Sequence, residues 1–196
     1  MVNTPFPRHR LHLVLRHDHV LGRGNKIIHS SVTQIDLHDF SRLCLTYGLA
    51  GFHCITEMPA QHQIAADILN FWQEGYGRDY NPDRKAALKK LHLHQNFEQF
   101  LEKIRELEGS EPLLIGSSAQ PTDKNLDFQD LSTIMIRSDR PAVLQLGTSW
   151  GLSSDQLSRC DGILPPIVGQ HGYNHLSVRC AAAILVDRIC QSHITD

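Results

Sequence analysis

Strand-like runs and amphipathic helical runs alternate from one end of this chain to the other, and that rhythm constrains its fold more than any other feature. Such alternation is the pattern of an α/β domain with a mainly parallel sheet covered by helices on both faces. Leu11 to Leu15 reads as a first strand, followed by a glycine-rich loop with Gly22 and Gly24. Asp36 can cap a helix in which Leu37, Phe40, Cys44 and Tyr47 recur at helical spacing, and Gly48 ends it. Gly51 to Thr56 is a second strand, and Pro59 opens a helix running to about Glu74, where Gly75 and Gly77 break it. Residues 75–82 read as a loop. In Leu91-His92-Leu93-His94 the alternation places histidines on one strand face and leucines on the other. Asn96 to Leu107 is a charged amphipathic helix, Leu113 to Ile115 a buried strand and Asp127 to Ile136 a further helix. Ala142 to Leu146 and Gly162 to Leu164 supply two more strands, and Leu176 to Ile189 a last helix rich in small residues.

With 196 residues, 41% of them hydrophobic and 20% charged, the chain can bury a sizeable core, and its length fits one domain over 1–196. Its apolar runs, such as Ala181 to Val186, fall far short of the roughly 20 residues that span a bilayer, and its start lacks a secretory apolar core. The expectation is a cytoplasmic protein with no membrane contact. Five cysteines (Cys44, Cys54, Cys160, Cys180 and Cys190), without CxxC spacing and in apolar surroundings, read as buried reduced thiols. The thirteen histidines include the close pairs His17/His19 and His92/His94, but no His–Cys set has the spacing of a structural zinc site, so no metal is expected.

Net charge is only −2, so nucleic-acid binding cannot be argued from bulk charge, but the basic residues cluster. One group is Arg8, Arg10, Arg16, Arg23 and Lys26; another is Arg78, Arg84, Lys85, Lys89 and Lys90, adjoined by Tyr76 and Tyr80. Such patches can neutralise phosphates while rings stack on exposed bases. Ordinary solvated charge is the competing explanation.

Three strand ends are each followed by a loop of small or cyclic residues: Ser117-Ser118-Ala119, Gly147-Thr148-Ser149-Trp150-Gly151 and Pro165-Pro166-Ile167. In open α/β sheets, ligands sit outside the carboxyl ends of the strands, so three such loops together predict a pocket. No GxGxxG or GxxxxGK(S/T) phosphate loop is present.

Several of these residues resemble the motifs of SpoU-type enzymes in the SPOUT superfamily of knotted RNA methyltransferases. Asp36, Arg42 and Gly48 are spaced like the first motif, Leu144 to Ser153 resembles the second, and Ile163 to Ile167, Gly169 and Tyr173 to Arg179 with Ala181 to Ala183 resemble the third. Within the superfamily the chain is similar to a small bacterial group of S-adenosylmethionine (SAM)-dependent RNA methyltransferases that carries Phe71-Trp72, Glu74-Gly75, Tyr80-Asn81-Pro82 and an Asn-His-Leu-Ser-Val-Arg signature. The resemblance implies a deep trefoil knot near the C-terminus, a homodimer completing the site across subunits, and SAM held by Ser117, Ser118, Ala119, Leu144, Leu146, Gly147, Thr148, Gly151, Leu152, Ile163, Leu164, Pro165, Pro166, Ile167, Leu176 and Ser177.

The same resemblance makes Arg42, Asp36, His175 and Ser177 the catalytic candidates, and the basic cluster beside the aromatic loop makes Tyr80, Arg84, Lys85, Lys89 and Lys90 the RNA contacts. Spacing alone would read Arg42 as an exposed helical arginine paired with Asp39; the resemblance gives it the orienting of substrate instead. Asp36 stands where SpoU enzymes have Asn, the second motif lacks their usual Glu, and Tyr173-Asn174-His175 replaces Ser-Leu-Asn. A carboxylate can take a proton from a base nitrogen, so methylation of tRNA or rRNA at a base nitrogen is favoured over the ribose 2′-hydroxyl. A non-catalytic SAM- or RNA-binding module of the same fold is the alternative.

Overall fold

The computed structural model describes residues 6–171 and 173–192. Six parallel strands form one sheet: β1 (Leu11–Arg16), β4 (Gly51–Ile55), β5 (Leu91–His94), β6 (Leu113–Ser117), β7 (Ala142–Gly147) and β8 (Gly162–Leu164). Their order is β5-β4-β1-β7-β6-β8, with β2 (Val20–Leu21) and β3 (Ile27–Ile28) as a separate antiparallel ribbon. The chain builds outward from β1 to β4 and β5 and then crosses to the other side, where β7 comes to lie between β1 and β6, so the connections diverge between β1 and β7. Ligand sites of open α/β sheets lie at such a switch, outside the carboxyl ends of the strands.

Helices cover both faces. On one side, α1 (Gln34–Tyr47), α2 (Pro59–Gln73), α4 (Pro82–Leu88), α6 (Phe128–Arg137) and α8 (Val178–Gln191) pack on Leu11, Leu13, Leu15, Phe52, Cys54, Leu144 and Leu146. On the other, α5 (Phe97–Glu108) brings Phe97, Phe100, Leu101 and Ile104 onto Val14, Ile55 and Val143. Residue alternation along each strand sends successive side chains to opposite faces, which separates the two cores. Short α3 (Gly77–Tyr80) and α7 (Ser154–Ser158) complete the elements.

Side-chain caps set most helix starts. Asn96, Asp127 and Ser177 accept the first-turn amides of α5, α6 and α8. Thr33, rather than Asp36, caps α1; Asp36 sits in its first turn, and the Thr33 hydroxyl both accepts the Asp36 amide and donates to the Asp36 carboxylate at 2.5 Å. At the far end Gly48 adopts φ +66°, and its amide reaches Cys44 and Leu45 carbonyls.

Several expectations need correction. The loop after β1 contains the β2–β3 ribbon, residues 75–82 contain α3, α7 follows β7, and the last helix starts at Val178, leaving His175 to Ser177 ahead of it. Cys180 is exposed, while the other four cysteines are buried and all five are free thiols. Histidines of β5 do share one face, on which His94 is buried at 4% exposure and His92 is half-buried.

Candidate active site

All six strands run parallel, so the loops after β6, β7 and β8 emerge at one edge, and the strand order places them side by side. The β7 loop curls back on itself. A Cβ at Gly147 would lie 2.4 Å from both the Gly151 carbonyl carbon and the Leu152 amide nitrogen, which only glycine permits. Ser149 and Gly151 take positive φ, and the Gly151 amide donates to the Thr148 carbonyl at 2.9 Å. The ribbon clasps this loop: the Leu21 amide donates to Gly151 O (2.9 Å) and the Trp150 amide to Leu21 O (3.0 Å). Trp150 itself is exposed.

In the β6 loop the Ser117 hydroxyl donates to the Gln145 carbonyl, and Ser118 accepts the Gln120 amide. The segment before α8 is tied to the same loop, because the Asn174 amide group donates to the Ala119 carbonyl at 2.8 Å. Pro165, Pro166 and Ile167 are half-buried. The result is a rim of small side chains, strand-end backbone groups and a tightly folded glycine turn. Ser117, Ser118, Ala119, Gly147, Gly151 and the two prolines share this edge. Leu144, Leu146, Leu152 and Leu164 instead bury their side chains, and Leu144 lies mid-strand between Leu13 and Ile115. Ile163 exchanges its backbone bonds with the segment at Lys124 and Leu126. Leu144 and Ile163 thus lie within the sheet rather than on the loop rim. Thr148 is spent on structure too: its hydroxyl donates to Arg16 O and bonds the Ser30 hydroxyl.

Beside β7, the end of β1 carries a polar assembly that spacing did not reveal. Arg16, 4% exposed, forms a forked pair with Asp18 (2.8 and 2.6 Å), donates to Gln145 Oε1 and lies 4.2 Å above the Phe97 ring. Burial pushes His17 down to about 4; its Nδ1 bonds Ser30, and among the described residues its Nε2 has no hydrogen-bond partner. An Arg at the end of a mostly apolar strand, two residues before an Asp, was the available signal. Further along the same face, Glu108, His12, His53 and His94 form a chain with ring-nitrogen contacts of 3.0, 3.1 and 2.9 Å.

Of the catalytic candidates, Asp36 is 5% exposed with both oxygens engaged, one by Thr33 and one by Arg179 at 2.9 Å. Asp39 also pairs with Arg179 (3.2 Å) rather than with Arg42. Arg42 is exposed and shares with Arg84, Gln34, Ile35, His38 and Asp39 an open depression of about 360 Å³. Among the described residues neither Arg42 nor Arg84 has a carboxylate partner, while Arg84 lies 4.6 Å over Trp72. The Ser177 hydroxyl caps α8 by accepting the Cys180 amide, and His175 is exposed, edge-on to Tyr173 at 5.2 Å. Tyr76 and Tyr80 stack on each other and are exposed. Lys90 is drawn away from this surface, its ammonium donating to Leu49 O at 2.8 Å.

A family model described as SAM-dependent RNA methyltransferase matches residues 10–191. The chain belongs to that family. A protein of Oleidesulfovibrio alaskensis named tRNA (guanine-N(1)-)-methyltransferase is 38% identical over 183 residues, covering 93% of this chain and 42% of that protein, so the chain spans less than half of that relative. The fold is that of the Aquifex aeolicus TrmH/SpoU tRNA modifying enzyme (TM-score 0.55, 13% identity, 95% of this chain and 77% of that one). It is also that of the SpoU methyltransferase AviRb from Streptomyces viridochromogenes, solved in complex with AdoMet (TM-score 0.56, 14% identity, 95% and 59% covered). The family's description names SAM as cofactor, and the α/β fold of this chain is SpoU-like. No helix among the described residues is long and apolar enough to cross a membrane.

Proposed function

We propose that this methyltransferase modifies tRNA at a base nitrogen, with residues 1–196 forming one domain that works in the cytoplasm as a homodimer and is knotted around the α8 segment. SAM sits at the carboxyl edge between the loops after β6, β7 and β8, held by backbone groups around Ser117 to Ala119, Gly147 to Leu152 and Pro165 to Ile167, with Leu176 and Ser177 at the fourth side. Bound there, it supplies an electrophilic methyl group. The observation that carries this reading is the Gly147 turn, where no side chain fits and the loop closes tightly beside two small-residue loops.

RNA lies across Arg42 and Arg84, whose guanidinium groups line one depression without carboxylate partners among the described residues. Lys85, Lys89 and the stacked Tyr76/Tyr80 pair extend that surface. Asp36, enclosed by Thr33 and Arg179, ties α1 to α8, and proton acceptance passes to His175. His175 is exposed, one residue from Asn174, whose bond to Ala119 fastens the segment to the cofactor loops. As the acceptor nitrogen gains the methyl group, its proton goes to the imidazole, the commonest general base in proteins. Dimerisation would set the Arg42 depression of one protomer against the loops of its partner, and exposed Val168, Tyr173 and Leu176 offer apolar surface for it.

The test is methylation of bulk tRNA with radiolabelled SAM followed by mass mapping of nucleosides. His175→Ala and Arg42→Ala should each lose roughly 10²-fold or more in turnover with SAM still bound. Gly147→Ala should weaken SAM itself about tenfold or more, since its Cβ has no room. A methyl group that blocks alkaline cleavage of the RNA would mark the ribose 2′-hydroxyl and overturn the base assignment. Sedimentation showing a monomer at concentrations that sustain turnover would overturn the shared site.

A further inference from the structure

Three exposed side chains far apart in sequence converge next to the proposed cofactor edge: His19 between β1 and β2, His29 after β3 and Glu57 after β4. Their donor atoms all lie within 4.8 Å of one another, with His19 Nε2 and Glu57 Oε2 at 3.1 Å and the His19 and His29 rings edge-to-face at 4.8 Å. The structure assigns these three residues to a site for a zinc-class divalent cation. Tetrahedral zinc with bonds of about 2.0–2.1 Å holds its donors roughly 3.4 Å apart. His19 and Glu57 already meet that spacing. His29 reaches it by rotation of an exposed side chain.

The donors are carried on backbone that is laced together, so the site needs side-chain adjustment alone. The His17 amide donates to Ile55 O (3.0 Å) and the Ser30 amide to His17 O (2.8 Å), which joins the segments bearing all three ligands. His19 holds φ +51°, an uncommon conformation for a non-glycine residue, and it follows Asp18, whose carbonyl accepts from Gln156 (2.8 Å). Two imidazoles and one carboxylate suit borderline metals such as zinc, cobalt or nickel better than magnesium or calcium, which take oxygen sets. A set of three protein ligands leaves a fourth position for water or a phosphate oxygen. The neighbouring Ser30 hydroxyl contacts Thr148 in the β7 loop, so the cation would sit beside the cofactor edge without forming it.

A simple ion pair between His19 and Glu57 would not require His29, and that difference supplies the test. Calorimetric titration of the untagged full chain with zinc chloride should show one equivalent bound, and cobalt(II) chloride should give the visible d–d bands of a four-coordinate site. Loss of even an outer-sphere partner typically costs about 10–100-fold in metal affinity, so His29→Ala, His19→Ala and Glu57→Gln should each weaken zinc by about tenfold or more. SAM affinity and melting temperature of the metal-free variants should match wild type, which shows that the variants are folded and separates this site from the proposed active site. No binding of either metal, or binding that survives His29→Ala unchanged, overturns the assignment; in the second case the remaining histidines or exposed Cys180 hold the ion.

Discussion

On the α1 side of the sheet, the central strands present hydrocarbon and thiol groups alone: Leu11, Leu13, Leu15, Phe52, Cys54, Leu144 and Leu146. On the α5 side the same strands present His12, Arg16, His53 and Gln145, with only Val14, Ile55 and Val143 as an apolar belt between them. Both faces are dry. One is held by unspecific burial and the other by polar partners that must be matched one by one, so damage should look different on each.

Truncation on the apolar side should cost most. Phe52, fully buried and stacked on Phe40 at 4.9 Å, should lose about 4 kcal/mol as Phe52→Ala, measured by urea unfolding. Asp18→Ala on the polar side should cost about 3 kcal/mol, because the Arg16 charge stays buried without its forked partner. Here the faces part: adding Arg16→Met to Asp18→Ala should restore most of the loss, whereas no second polar change rescues Phe52→Ala. A double variant as unstable as Asp18→Ala would show that the pair contributes beyond mutual compensation.

The third effect depends on pH. Burial pushes His94 down to about 4, and the neighbouring His92 and His62 and Lys103 add to the shift. The unfolded chain therefore binds a proton that the folded chain refuses, so stability is complete above the ordinary histidine value near 6.5 and falls as pH drops towards 4. At pH 4.5 the His94 contribution should be a loss of about 2 kcal/mol. His94→Phe should flatten the curve over that window. An unchanged slope would place the acid sensitivity elsewhere. Smallest is the electrostatic effect: Arg84→Ala with Lys85→Ala should lower RNA affinity by about 1 kcal/mol and reduce its salt slope by roughly two phosphate contacts, while Lys90→Ala should leave that slope unchanged.

The apolar face was the legible one. Period-two and helical patterns sufficed to place β1, β4, β6, β7, β8, α1, α2, α5 and α6, because each buries a stripe whose spacing is local. The His92/His94 alternation revealed a shared face yet not its burial, since a covered polar face and a solvated one have the same period. The loops after β6, β7 and β8 were visible from their small residues, whereas Leu144 and Ile163 belong by their backbones to the sheet and its β8 edge. Arg16–Asp18, the clasping ribbon and the His19/His29/Glu57 cluster depend on segments meeting across the sheet edge. Chain spacing, which argued against a metal, carries no information about such meetings.

The chain of Glu108, His12, His53 and His94 has a direction. A carboxylate can only accept, so His12 must place its proton on Nε2 and leave Nδ1 bare. His53 then donates from Nε2, and His94 does the same in turn, so one acid group at the end of α5 dictates the tautomer of an imidazole two strands away. Were Glu108 to become a donor, by protonation or by Glu108→Gln with its amide turned inward, each ring could satisfy the line only by moving its hydrogen to the other nitrogen. A switch of handedness in a row of protons would thus cross the sheet with the backbone standing still.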